Sequence, residues 1–267
     1  MEFNFLFYLA IFLFGLAAGS FLNCVIYRLE VNKSFLKGRS FCPHCKHQLN
    51  WQDLIPLLSF LILRGKCRYC QKPISFQYPL VELATGILFL CVWQAGGEPL
   101  SFFFNSTIAS FLIIIFVYDL KHYIIPDRVI YPAIGIAFLY RAFEALAFNH
   151  WPLGFEISSL INPLLAAFGA AAFFLVIVLI SRGRWMGVGD IKLAFLMGLI
   201  LGWPNILAAL FLAFFIGAIF GVALVIAGRK TLKSEVPFGP FLVTGTFIAL
   251  FWGQEVINWY LNLFLLK

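Results

Sequence analysis

Long apolar runs at 102–117, 164–180, 206–227 and 238–257 constrain this chain more than any other feature. A helix needs about 20 apolar residues to cross a bilayer. In lipid every backbone amide must be satisfied within its own element or a closed barrel, and these runs lack the alternation of barrel strands. They therefore read as membrane-spanning helices. With 62% hydrophobic and 12% charged residues, the whole composition agrees. Eight spans are predicted at about 4–27, 79–96, 101–120, 128–148, 159–181, 188–203, 205–228 and 238–263. Spans two and six are short, which leaves them open to a partly re-entrant course. There is no fixed-period repeat, and the one long polar interruption is 28–77.

Charge orients these spans. The segment from Arg28 to Lys72 carries nine Lys or Arg, including Lys37, against Glu30 and Asp53. Lys121, Arg128, Arg182, Arg184, Lys192, Arg229, Lys230 and Lys233 fall on the same side of the predicted topology, and only Arg141 and Lys267 fall on the other. By the positive-inside rule that crowded side is cytoplasmic and both termini lie outside. The net charge of +7 is then a consequence of topology and requires no nucleic acid. No Lys or Arg precedes the first apolar run, so the N-terminus reads as a retained anchor rather than a cleavable signal.

Inside the predicted cytoplasmic loop, Cys42-Pro-His-Cys45 is followed by Cys67-Arg-Tyr-Cys70. Two C-x-x-C turns can aim four thiolates at one metal and close a tetrahedral zinc shell. The loop has few apolar residues from which to build a core, so a metal staple makes physical sense there. Reduced cytosolic thiols disfavour disulfides; redox-active or free thiols remain the alternative. His44 and His47 are read as solvated, and Cys24 and Cys91 as small buried hydrophobes.

Ionisable residues inside spans are costly and are functional candidates by default. Asp119 ends one apolar run, and Asp190 ends Gly187-Val-Gly-Asp190 just before another. Two predicted spans separate them, an even number, so both fall at cytoplasmic span ends and can form a pair. Paired carboxylates share a proton, and such a pair can activate water against a peptide carbonyl. The competing reading has Asp190 capping a helix and Asp119 pairing with Lys121 or Lys192. Glu82 is read as contacting substrate or satisfying a neighbouring helix, with the second favoured. Asn23 is expected to bond between helices, Arg141 and Glu144 to pair along one helix, Asp127 to cap span four, and His122 to be exposed.

The order of Gly19-Ser-Phe-Leu-Asn23, the paired cysteine knuckles, Tyr78-Pro-Leu-Val-Glu82, the segment from Asp119 to Asp127, Gly187-Val-Gly-Asp190-Ile-Lys192 and Pro237-Phe-Gly-Pro240 closely resembles the bacterial type IV prepilin peptidases, over nearly the whole chain. One departure is Glu30, where a proline commonly follows the Tyr-Arg-hydrophobic element. The resemblance implies a G-x-G-D membrane aspartyl peptidase with Asp119 and Asp190 catalytic and zinc on Cys42, Cys45, Cys67 and Cys70. It implies prepilin or pseudopilin substrates cut at the cytoplasmic face of the bacterial inner membrane. It further implies N-methylation of the new terminus with S-adenosylmethionine as donor. The expectation is thus an all-α polytopic membrane protein of about eight transmembrane helices with a cytoplasmic four-cysteine zinc-binding loop. Its parts are a first helix at 1–27, the zinc loop at 28–78 and a peptidase core at 79–267. An ion-coupled transporter using the same carboxylates, or a non-catalytic scaffold docking through its zinc loop, is the competing class.

Overall fold

The computed structural model describes residues 2–34, 38–147, 158–229, 231 and 235–265. Lys37, Lys230, Lys233 and Lys267, counted above, lie outside them. Among the described residues the chain is helical, with two isolated β-bridges and no strand. Its helices are α1 (Glu2–Glu30), α2 (Leu58–Ile62), α3 (Gln77–Gly96), α4 (Pro99–His122), α5 (Asp127–Ala147), α6 (Ser158–Ser181), α7 (Val188–Leu201), α8 (Asn205–Ile226) and α9 (Gly239–Leu265), with a 3-10 turn at Trp51–Leu54. Each of the eight expected spans is occupied by a helix. Seven are long and apolar enough to cross a membrane. The exception is the sixth, α7, whose 14 residues reach only about 21 Å at 1.5 Å per residue.

The chain divides into two compact units, Met1–Ile114 and Ile115–Lys267. In the first, α1 and α3 pack at close range because glycines line the contact. A Cβ on Gly15 would stand 2.7 Å from Gly86 Cα, and one on Gly19 would stand 2.7 Å from Glu82 Cα. Without a hydrophobic force between helices in lipid, such close backbone approach is what holds them. Asn23 adds the expected interhelical bond, donating from Nδ2 to the Tyr78 carbonyl at 3.0 Å. Phe102 of α4 closes this unit edge-on against Phe89 and Trp93 of α3.

In the second unit α7 is the shielded element. Nine of its fourteen residues are buried, and α5, α6 and α9 pack around it. Gly198 lets α7 press against the backbone of Ala166 and Ala167 on α6. Beyond its C-terminal end the Asn162 side chain bonds Trp203 twice, accepting its N–H at 2.6 Å and donating to its carbonyl at 3.2 Å. Short length is tolerable here because α7 is lined by protein rather than by lipid. Its ends still need partners, since the last carbonyls of any helix lack an internal donor. Arg141 of α5 supplies them. Its Nε donates to the Leu199 carbonyl at 3.0 Å and its Nη2 to the Ile200 carbonyl, while Nη1 pairs with Glu144 at 2.8 Å. The expected Arg141–Glu144 pair is present, but the larger task of Arg141 is to cap α7.

Candidate active site and metal centre

Asp119 sits in the last turn of α4, and Asp190 in the first turn of α7. Both are buried, at 5% and 8% exposure, despite being carboxylates. Burial of a charge-bearing group demands hydrogen bonds. Each finds one at the start of a helix, where amides have no internal acceptor. Asp190 is the third residue of α7, and its Oδ2 accepts the N–H of Gly187, the residue preceding the helix, at 3.0 Å. Asp119 reaches across the unit, and its Oδ2 accepts the N–H of Gly239, the first residue of α9, at 3.1 Å.

These are the only hydrogen bonds either carboxylate makes among the described residues, so Oδ1 of each remains available to a water or a substrate. Both carboxylates belong to the second compact unit. Glycines admit close neighbours at both positions, Asp119 at the start of α9 and Ile125 at the start of α7. A Cβ on Gly239 would stand 2.5 Å from Asp119 Oδ2, and one on Gly189 would stand 3.1 Å from Ile125 Cβ. The competing readings thus divide: Asp190 does cap its own helix, but Asp119 takes the α9 amide rather than a lysine. Lys192 instead pairs with Asp127 at 2.6 Å and lies over the Tyr131 ring. Asp127 is the first residue of α5, but its carboxylate is engaged by Lys192 and not in the expected cap. His122 is exposed and packs on Tyr118. Gly239 escaped the sequence reading as a site residue. Its signal was its place in Pro237-Phe-Gly-Pro240, where a helix begins, but the acceptor lies 120 residues away in sequence.

The four loop cysteines converge. Their sulfurs all lie within 4.8 Å of one another, with Cys42 and Cys70 Sγ 3.9 Å apart. Four sulfurs about 2.3 Å from a central ion at tetrahedral angles are separated by about 3.8 Å, so the cluster fits a metal of zinc's dimensions. The separation is far beyond a disulfide bond.

The two knuckles are copies of one turn. Cys42 N–H donates to the His47 carbonyl and Lys46 N–H to the Cys42 carbonyl; Cys67, Lys72 and Gln71 repeat the pattern at the same spacing. Lys46 and Gln71 both take positive φ, and bridges Phe41–Gln48 and Lys66–Pro73 close the two turns. Asp53 ties the second knuckle to the segment between them, accepting from Arg68 Nε at 2.8 Å and from the Tyr69 hydroxyl and Asn50 N–H at 3.2 Å each. Burial opposes its ionisation, but Arg68, Asn50 and Tyr69 together hold the carboxyl below its ordinary range.

Glu82 is buried in α3 and spends its Oε2 on the Leu57 N–H at 2.8 Å. It therefore satisfies neighbouring backbone, which was the favoured reading.

Two family models match the chain. The Bacterial Peptidase A24 N-terminal domain covers residues 13–95, and the Type IV leader peptidase family covers 106–222. Among curated relatives, the "Prepilin leader peptidase/N-methyltransferase" of Bacillus subtilis is 35% identical over 95% of this chain and 97% of its own length. Proteins of the same name are 32% identical in Aeromonas hydrophila, covering 97% of this chain and 96% of the relative, and 33% identical in Legionella pneumophila, covering 96% and 94%. No solved structure matches the chain. Matches of this extent, reached by a chain with two cysteine knuckles followed by two buried carboxylates, establish that it belongs to the type IV leader peptidase family.

Proposed function

We propose that this chain is a multi-pass inner-membrane endopeptidase that removes the leader from type IV prepilins or type II secretion pseudopilins and N-methylates the new terminus. Asp119 and Asp190 are the catalytic pair. The observation that carries the reading is their common situation: two buried carboxylates in one compact unit, each fixed by a single backbone amide at a helix start and each with one oxygen unspent. In the proposed step one carboxylate, ionised, takes a proton from water as the water oxygen attacks the scissile carbonyl. The other, protonated, donates to the carbonyl oxygen as negative charge develops there. Collapse of the tetrahedral adduct breaks the C–N bond as the proton taken from water passes to the departing amine, and one hydroxyl proton returns to the carboxylate that had donated it while the C=O bond re-forms. Proton sharing of this kind is what two neighbouring carboxylates do in a poorly solvated site.

The proposed division of labour follows the expected parts: 1–27 an anchor, 28–78 a cytoplasmic zinc-binding loop and 79–267 the peptidase core, with both termini outside. Zinc on Cys42, Cys45, Cys67 and Cys70 would be structural, since four thiolates leave no open position. S-adenosylmethionine would supply the methyl group from its sulfonium to the freed amine. Asp119 and Asp190 stand at helix ends rather than mid-span, which disfavours the transporter reading. The test is purified protein in lipid vesicles incubated with a full-length prepilin. Leader removal by the wild type and not by Asp119→Asn supports the assignment; cleavage that survives both Asp119→Asn and Asp190→Asn overturns it.

A further inference from the structure

Between the two knuckles the chain leaves the cysteine cluster, runs through the 3-10 turn Trp51–Leu54, turns at Pro56 and Leu57, and returns through α2 to Arg64. The outer face of this hairpin is apolar, against the expectation of a loop poor in apolar residues. Leu58, Leu61 and Ile62 fall at the i, i+3 and i+4 positions of α2, and Leu61 and Ile62 are 68% and 74% exposed. Trp51, at the entry to the hairpin, is 72% exposed. Exposed apolar residues this dense need a covering medium.

The position of the tip says which medium. Leu57 N–H is bonded to Glu82, and the Cα of Glu82 is in contact range of Gly19 on α1. Gly19 lies about 14 Å along α1 from Arg28, the first basic residue after that apolar helix. The tip of the hairpin is therefore well inside the level at which α1 leaves the hydrocarbon. Leu54 and Pro56 line a cavity of about 450 Å3 that extends along α1 from Ala17 to Arg28. Exposed basic residues Arg64 and Lys66 follow α2 on the return arm, where phosphate headgroups would lie. Trp51 opens the outgoing arm, and an exposed amphipathic ring suits a membrane interface. The buried Glu82 supplies what a re-entrant backbone at that depth needs, an acceptor for an amide that lipid cannot satisfy.

We propose that residues 51–64 form a re-entrant finger inserted into the lipid leaflet from which α1 emerges, with Leu58, Leu61 and Ile62 among the acyl chains and Arg64 and Lys66 against anionic headgroups. The finger moors the cysteine knuckles, whose bases it joins, to the membrane surface. The inference is independent of the catalytic assignment.

The experiment places the photoreactive residue benzoylphenylalanine singly at Leu61, Ile62 or His44 in the full chain, reconstituted in vesicles of phosphatidylethanolamine and phosphatidylglycerol. After irradiation, adducts are identified by mass spectrometry. Leu61 and Ile62 sit on the exposed face, so the probe replaces no packed side chain, and an unchanged melting temperature verifies the fold. Lipid adducts several-fold more abundant at 61 and 62 than at 44 are expected. Adducts to a second copy of the chain or to an added prepilin, in place of lipid, would show a protein-docking surface and overturn the proposal. So would unreacted probe at 61 and 62 with water as the only neighbour.

Discussion

Asp119 and Gly239 are 120 residues apart in sequence and joined by one 3.1 Å hydrogen bond, which fixes the end of α4 to the start of α9. Because a Cβ at 239 would stand 2.5 Å from the carboxylate oxygen, only glycine permits this bond in its present geometry. Gly239→Ala should displace the Asp119 carboxyl by roughly an ångström. Displacements of that size cost on the order of 100-fold in rate. Steady-state cleavage of a prepilin should show the loss mainly in kcat, with the melting temperature little changed. An alanine variant that turns over normally would show that Asp119 needs no such tether for catalysis.

Asp119→Asn and Asp190→Asn should each abolish leader cleavage while the protein remains folded and inserted. Asp127→Asn should not. Its carboxylate is 61% exposed, and its ion pair with Lys192 is a surface pairing worth about 0–1 kcal/mol. Gel-shift assays at matched membrane abundance distinguish the three. A dead Asp127→Asn beside an active Asp119→Asn would reverse the assignment.

Elemental analysis should find about one zinc per chain, and Cys42→Ser or Cys67→Ser should lose it. The duplicated knuckles make the two substitutions equivalent, since each removes the first cysteine of the same turn. Metal loss should disorder the loop and reduce methylation more than peptide cleavage. Purified protein containing four bridged cysteines and no metal would contradict the site.

Arg141→Met should destabilise the second unit by removing the donors that satisfy the Leu199 and Ile200 carbonyls. Leaving a buried acceptor unpaired costs about 1–3 kcal/mol. Glu144→Gln, which spares those bonds, should cost less. Thermal unfolding in one detergent orders the two, and equal effects would mean that the ion pair rather than the cap matters.

Much of this was legible from sequence because lipid imposes simple rules. Apolar run length located a helix at every expected span, and C-x-x-C spacing located the cysteine cluster. The parity of spans allowed Asp119 and Asp190 to meet at one face, and both belong to the second compact unit. What could not be read were bonds between distant backbone and side-chain atoms. Arg141 was legible as a partner of Glu144 because three residues on a helix bring them together. Its capping of α7 was not, since Leu199 is 58 residues away. The shortness of α7 was hidden for a related reason. Hydropathy registers an apolar segment whether lipid or protein surrounds it, and only packing reveals that α7 is enclosed.

That enclosure separates two lengths that are usually coupled. A helix facing lipid tilts or stretches its surroundings when bilayer thickness changes, at a modest cost for each ångström of mismatch. Nine of the fourteen residues of α7 are buried, and its C-terminal end is held to α5 by Arg141. The height of Asp190 in the membrane is therefore set by neighbouring helices and not by the acyl chains. Vesicles of shorter or longer lipids should therefore move Asp190 only as far as α5, α6 and α9 themselves move, and α7 should show no tilt response of its own.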